Sequence, residues 1–336
     1  MAESDRNEIY LSSSPHYTIP VTTRHVMAMV ILALLPIAVW GVVLFGLPAL
    51  ITLITAIVSC VGFEALFRKM TGQDVRAGDL SAVITGLLFA MVLPPTTPVW
   101  MTILGSLFAI VVAKEFFGGL GANVFNPALA GRAFLMVSFA KPMTNWVETR
   151  FTAVMDAVST ATPLALIKAA DATNAEALAG ELGFFSSADT YWNLFIGNRG
   201  GCIGESSIFL ILFAFFFLSL TKVIDWRAPV AMMATTVAIT WIAGIDPLLT
   251  LLSGGLAFGA VFMTTDYATS PVTDTGRLLF GAGCGLITAL IRVFGGFPEG
   301  VMFSILIMNS VVPFLDRILP RKYGKVSLAT KEKRAS

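Results

Sequence analysis

The sequence predicts an all-α polytopic membrane protein: about ten transmembrane helices in a five-plus-five inverted repeat with broken helices. Three observations predict it. The chain of 336 residues is 56% hydrophobic and only 13% charged, where a soluble domain carries about a quarter charged residues. Its apolar residues fall into ten runs. Finally, segments of the first half are echoed in the second.

A hydrocarbon core about 30 Å thick takes roughly 20 residues of helix. Runs of that kind lie at 26–45, 47–67, 80–93, 99–116 and 126–139, and again at 208–220, 228–245, 248–263, 278–294 and 301–315. The third, fifth and sixth are short for a full span. The first is too long for a secretory signal and runs straight into the second. Orientation follows from Lys and Arg. With the amino terminus placed in the cytoplasm, sixteen of the 22 basic residues fall inside, and only Lys141, Arg150, Lys168 and Arg199 fall outside. Both termini are therefore expected on the cytoplasmic side of a bacterial inner membrane.

The expected organisation is a first transmembrane half at 1–140, an extracytoplasmic connection at 141–207, a second half at 208–317 and a basic tail at 318–336. The connection is too rich in aromatics (Trp146, Phe184, Tyr191 and Trp192 among them) to read as a disordered linker, and is expected to fold onto the membrane surface. The echo pairs residues 86–92 with 255–261, and Phe117-Gly118-Gly119 with Phe294-Gly295-Gly296. By the charge rule the first copy starts inside and the second outside, the mark of an inverted repeat. Helix breaks are expected at Pro94-Pro95, at Thr264-Thr265-Asp266, and after the glycine-rich 118–121, with a short helix starting at Asn126-Pro127. Irregular backbone at membrane depth is tolerated only where protein or a cavity covers it.

Several function classes are excluded or unsupported. A net charge of +1 with no basic stripe gives no reason to expect nucleic acid. Cys60, Cys202 and Cys284 are far apart, and the only histidines are His16 and His25. An iron–sulfur cluster or structural zinc takes four ligands, so no metal site is expected.

The sharpest local signal lies in the external connection: Asp156, Ser159, Ala161 and Thr162, followed by Pro163. Read alone, Thr162 and Pro163 make a helix start, with Thr at the N-cap and Pro at N1. The segment also resembles the acceptor sequence for covalent FMN, in which a flavin transferase joins the cofactor to the last Thr by a phosphoester. An exposed hydroxyl among small neighbours suits entry into another enzyme's active site.

With that motif, nearly the whole chain resembles the D subunit of the Rnf electron-transport complex, a family shared with the B subunit of the sodium-pumping NADH:quinone reductase. The segments Ser14-Pro15-His16, 119–132 and 264–271 carry the resemblance, and Thr160, where the acceptor motif often has Gly, departs from it. The resemblance implies a flavin-carrying subunit of an ion-translocating ferredoxin:NAD oxidoreductase. It would hold covalent FMN on Thr162 and a second, non-covalent flavin (riboflavin or FMN), alongside the A, B, C, E and G subunits, in membrane lipid. It is not expected to be an enzyme alone. A helix start at Asn126 leaves N–H groups and a positive dipole end for the second flavin, with Arg132 on the same helix and Asp266 brought alongside by the other half. Of the remaining intramembrane charges, Glu64 and Arg292 are candidates for function, whereas Glu115 beside Lys114 reads as an interfacial ion pair. The competing reading is a secondary transporter or channel with the same repeat and no redox role, and a structural scaffold is a third. Whether sodium or protons move is not encoded in any of these features.

Overall fold

The computed structural model describes residues 22–74, 77–147, 149–150, 188–295 and 300–318. Every extended element among them is helical. The first half contains α1 (Thr23–Phe45), α2 (Leu47–Met70), α3 (Ser81–Met91), α4 (Val99–Leu107) and α5 (Pro127–Ser138). A helix α6 (Ala188–Ile196) precedes the second half. There follow α7 (Ile208–Leu220), α8 (Arg227–Ile242), α9 (Pro247–Leu252), α10 (Leu256–Phe258), α11 (Asp274–Phe294) and α12 (Val301–Ile318). Thr23–Phe45, Leu47–Met70, Val99–Phe117 and Asp274–Phe294 are long and apolar enough to cross a bilayer. The chain is a polytopic membrane protein.

Local chemistry sets the helix starts. Asn126, Ser207, Asp246 and Thr273 each accept a backbone N–H of the following turn with a side-chain oxygen, and Pro127 and Pro247 take the first helical position, where no N–H is needed. The breaks expected from sequence are present. Helix α3 stops at Met91 before Pro94-Pro95, and positive φ at Gly118, Gly119 and Gly121 (111°, 89° and 89°) turns the chain between α4 and α5. The eighth span departs from expectation. It is not continuous to Met263 but is interrupted at 253–255, between α9 and α10. Both α4 and α10 run on into a π-helical turn, Phe108–Val112 and Gly259–Met263.

The outward surface is apolar: Val39, Ile54, Val58 and Phe213 are exposed, as lipid contact requires. Exposed Trp226 sits at one end of the bundle, and Trp100, Trp192 and Trp241 at the other, an interfacial aromatic arrangement. Inside, helices approach through glycine. A Cβ added at Gly86 would lie 2.7 Å from the Ile57 Cα on α2; one at Gly281 or Gly285 would lie 2.3 or 2.6 Å from the Ala228 or Met232 carbonyl on α8. Small residues of this kind permit close backbone packing in membranes. The two halves share a packing scheme: α2 packs on α3 and α4, and α8 packs on α9 and α11.

Replacing Gly285 by Leu therefore forces α8 from α11, at a cost of about 1–3 kcal/mol by overpacking. Thermal unfolding of the detergent-solubilised protein should show a lowered midpoint. Gly62→Leu is the control, because nothing lies within 4 Å of an added Cβ there, and its midpoint should stay unchanged.

Candidate functional site

A cavity opens between the start of α3, the 118–126 turn, the start of α5 and the segment after the second π turn. Ile84, Leu88 and Phe262 supply apolar wall, and Asn123, Asn126 and Thr265 supply polar edge. Among the described residues, Lys114 is the one cation lining it and Asp266 the one carboxylate. The Asp266 carboxylate accepts from the Thr269 hydroxyl at 3.0 Å. Two residues picked from the sequence, Asn126 and Asp266, thus meet at one cavity.

The expected electrostatics of the α5 start need correction. The Asn126 side chain accepts from the N–H groups of Ala128 (3.1 Å) and Leu129 (3.3 Å), and Pro127 has none. These first N–H groups are satisfied internally, so what reaches the cavity is the Asn126 side chain and the dipole end. Arg132 is not at the cavity either. It is buried and turned to the other side of α5, where Nη1 lies 3.4 Å from Glu205 Oε1 and Nη2 lies 3.4 Å from Cys202 Sγ.

Behind the Lys114 wall lies a buried network of alternating charge. Lys114 Nζ donates to Glu64 Oε2 at 3.0 Å and to the Ser81 hydroxyl at 2.7 Å. Arg68 Nε lies 3.6 Å from Glu64 Oε1 and 3.3 Å from Glu115 Oε2. All four charged side chains are buried. The adjacent Lys114 and Glu115 therefore do not form the interfacial pair expected from sequence; each pairs with a residue of α2 instead. The signal that points there is Glu64 and Arg68, four residues apart in an apolar helix, where a lone charge would be costly.

At the other end of the bundle, residues 198–207 wedge between the two helix breaks. Ile203 donates its N–H to the Leu93 carbonyl at 3.2 Å, beside Pro94-Pro95. Arg199 donates to the carbonyls of Leu252 and Gly254, and to that of Glu205 at 2.8 Å. Arg292, buried on α11, donates to the carbonyls of Thr250 (2.9 Å) and Ser253 (3.2 Å). Two arginines thus serve the carbonyls that the interruption at 253–255 would leave bare. Cys202, which falls in the connection expected outside the membrane, is buried in the wedge. No sequence feature of Glu205 or Arg199 announced this seat. The flanks of the connection are tied down as well: Arg150 N–H donates to the Leu44 carbonyl at 3.0 Å, Trp40 Nε1 to that of Ile196 at 3.1 Å, and Tyr191 to Asp246. Thr162, with Asp156, Ser159 and Ala161, lies outside the described residues.

A charge knot closes the end opposite the wedge. Asp225 accepts from Arg277 at 2.6 Å and from Arg227 at 2.9 Å. Burial alone would raise its carboxyl pKa, but the Arg227 N–H and the Arg277 guanidinium outweigh it and hold the group below the usual carboxylate range. Among the described residues no cluster of His, Cys, Asp and Glu could hold a metal ion.

The NQR2, RnfD, RnfE family matches residues 10–324. The chain is 42% identical to the D subunit of the Na(+)-translocating ferredoxin:NAD(+) oxidoreductase complex of Acetobacterium woodii, over 98% of this chain and all of that protein. It is 41% identical to the D subunit of the proton-translocating ferredoxin:NAD(+) oxidoreductase complex of Clostridium ljungdahlii, covering 96% of this chain and 98% of the relative. The D subunit of the ion-translocating oxidoreductase complex of Stutzerimonas stutzeri is 38% identical over 89% and 92% of the two chains.

The wedge gives a stability test. Arg132→Leu should cost about 3–5 kcal/mol by removing a cation paired with the buried Glu205 carboxylate. The double replacement Arg132→Leu with Glu205→Leu should recover most of that loss. Thermal unfolding in detergent reads both, and a double variant no more stable than the single would show that the pair does not carry the cost.

Proposed function

Because the chain belongs to the NQR2, RnfD, RnfE family, we propose that it is the flavin-carrying D subunit of an ion-translocating ferredoxin:NAD oxidoreductase complex in a bacterial inner membrane. The observation that carries this reading is the end-to-end match to relatives named as the D subunits of such complexes. Those relatives are named for sodium in one case and protons in the other, so the coupling ion is left open. The partners under this reading are the A, B, C, E and G subunits, a flavin transferase during maturation, and membrane lipid.

Two flavins are proposed. The first is FMN, joined by a phosphoester to Thr162, with Asp156, Ser159 and Ala161 as the residues the transferase reads. The second is non-covalent, riboflavin or FMN, in the cavity beside Asn126 and Asp266. The cavity supports this assignment by its chemistry: apolar walls at Ile84, Leu88 and Phe262 suit a flat aromatic ring, while Asn123, Asn126 and Thr265 suit a polar ring edge. When bound, a flavin supplies reversible one- and two-electron transfer. The chain's own residues hold it, exclude water and set the local charge. Arg132, paired with Glu205 on the other side of α5, is no part of this site. A solute transporter would leave the Asp156–Thr162 segment without a use.

In a denaturing gel the chain from its native host should fluoresce, and Thr162→Ala should be dark. A fluorescent Thr162→Ala band would place the attachment elsewhere. Acid extraction tests the second site: Asn126→Leu should lose releasable flavin while the covalent fluorescence persists, and unchanged release would move that site away from α5.

A further inference from the structure

We infer that Lys114 is the residue that sets the redox potential of the flavin in the cavity, and that Glu64 restrains it. This inference rests on the cavity assignment just proposed. Lys114 is the single cation among the described residues of the cavity wall. Its ammonium is fixed from behind by Glu64 Oε2 at 3.0 Å and by the Ser81 hydroxyl at 2.7 Å. Ser81 is itself a lining residue, whereas Glu64 is not. The pair is therefore polar across the wall, with the positive member facing the cavity and the negative member one layer back.

A reduced flavin carries negative charge, so a nearby fixed cation favours reduction. The strength depends on how much of that positive charge is cancelled. Glu64 cancels part of it, and Arg68, 3.6 Å from Glu64, draws on the same carboxylate while also serving Glu115. All of these groups are buried, where charge is poorly screened by solvent. Asp266 on the lining opposes reduction, and its hydrogen bond from Thr269 disperses part of that charge. Neither member of the Lys114–Glu64 pair is asked to exchange protons or electrons; both are positioning residues that act through the field in the cavity.

The arrangement makes a prediction of opposite signs. Lys114→Met should lower the potential of the cavity flavin, since it removes the cation and leaves Glu64 less compensated. Glu64→Gln should raise it, since it unmasks Lys114. Lys114→Arg should stay close to wild type. A tenfold change in the stability of the reduced form corresponds to about 59 mV for a one-electron couple, and shifts of at least that size are expected. The measurement is a visible redox titration of the purified whole complex. The signal that disappears in Asn126→Leu is the one assigned to the cavity. Flavin content is determined by acid extraction of each variant. Opposite shifts at retained flavin content support the inference. Shifts of the same sign, or none, at retained content overturn it while leaving the cavity assignment intact. Should Lys114→Met fail to insert or lose its flavin, Glu64→Gln decides alone: an upward shift at retained flavin content supports the inference, and a downward shift or none overturns it. If wild type and Asn126→Leu have the same titration and the same releasable flavin, the cavity assignment fails first and this inference falls with it.

Discussion

Everything distinctive in this fold follows from the cost of a bare backbone carbonyl or N–H at membrane depth. Bilayer lipid offers no partner, so an interrupted helix survives only where protein supplies one. Here Arg199 and Arg292 converge on the carbonyls at 250–254, one from a connecting segment and one from α11. Asn126 does the same for the N–H groups that open α5. Once those groups are met, the chain can stop and restart inside the bundle, and the space it vacates can hold a ligand instead of a continuous helix.

Buried charge obeys the same constraint. Isolated, any one of Glu64, Arg68, Lys114 and Glu115 would be expelled or neutralised. Together they alternate in sign between α2 and the end of α4, and each finds an opposite partner within 4 Å. Every charge in the network has an opposite neighbour, and one of its members reaches the cavity surface. That placement lets a structural necessity act at the same time as an electrostatic control on whatever occupies the cavity.

How much of this was legible in the sequence depended on range. The long apolar runs matched one end of α1, α2 and α11 and came within four residues of the other, and Asn126-Pro127 announced the start of α5 through its own side-chain chemistry. The interruption at 253–255 was hidden because the residues around Ser253-Gly254-Gly255 are as apolar as a continuous span. Lys114 and Glu115 misled by adjacency: neighbours on a helix point in different directions, so each sought a partner on α2. Arg132 showed no acidic residue nearby because Glu205 is 73 positions away. Long-range pairs leave no periodic trace, which is why the cavity's two sequence-marked residues were found and its cation was not.

The wedge at 198–207 also bears on the order in which the protein can be made. Its contact with the first half, Ile203 on Leu93, is available as soon as the segment emerges. Its contacts with the second half, Arg199 on Leu252 and Gly254, do not exist until the eighth span has been synthesised and inserted. The nascent connection must therefore wait, anchored on one side only, while three further spans thread into the bilayer. Biogenesis then has a built-in checkpoint: the seat for this segment is complete only when both halves have arrived, and a chain truncated before Gly254 cannot finish it.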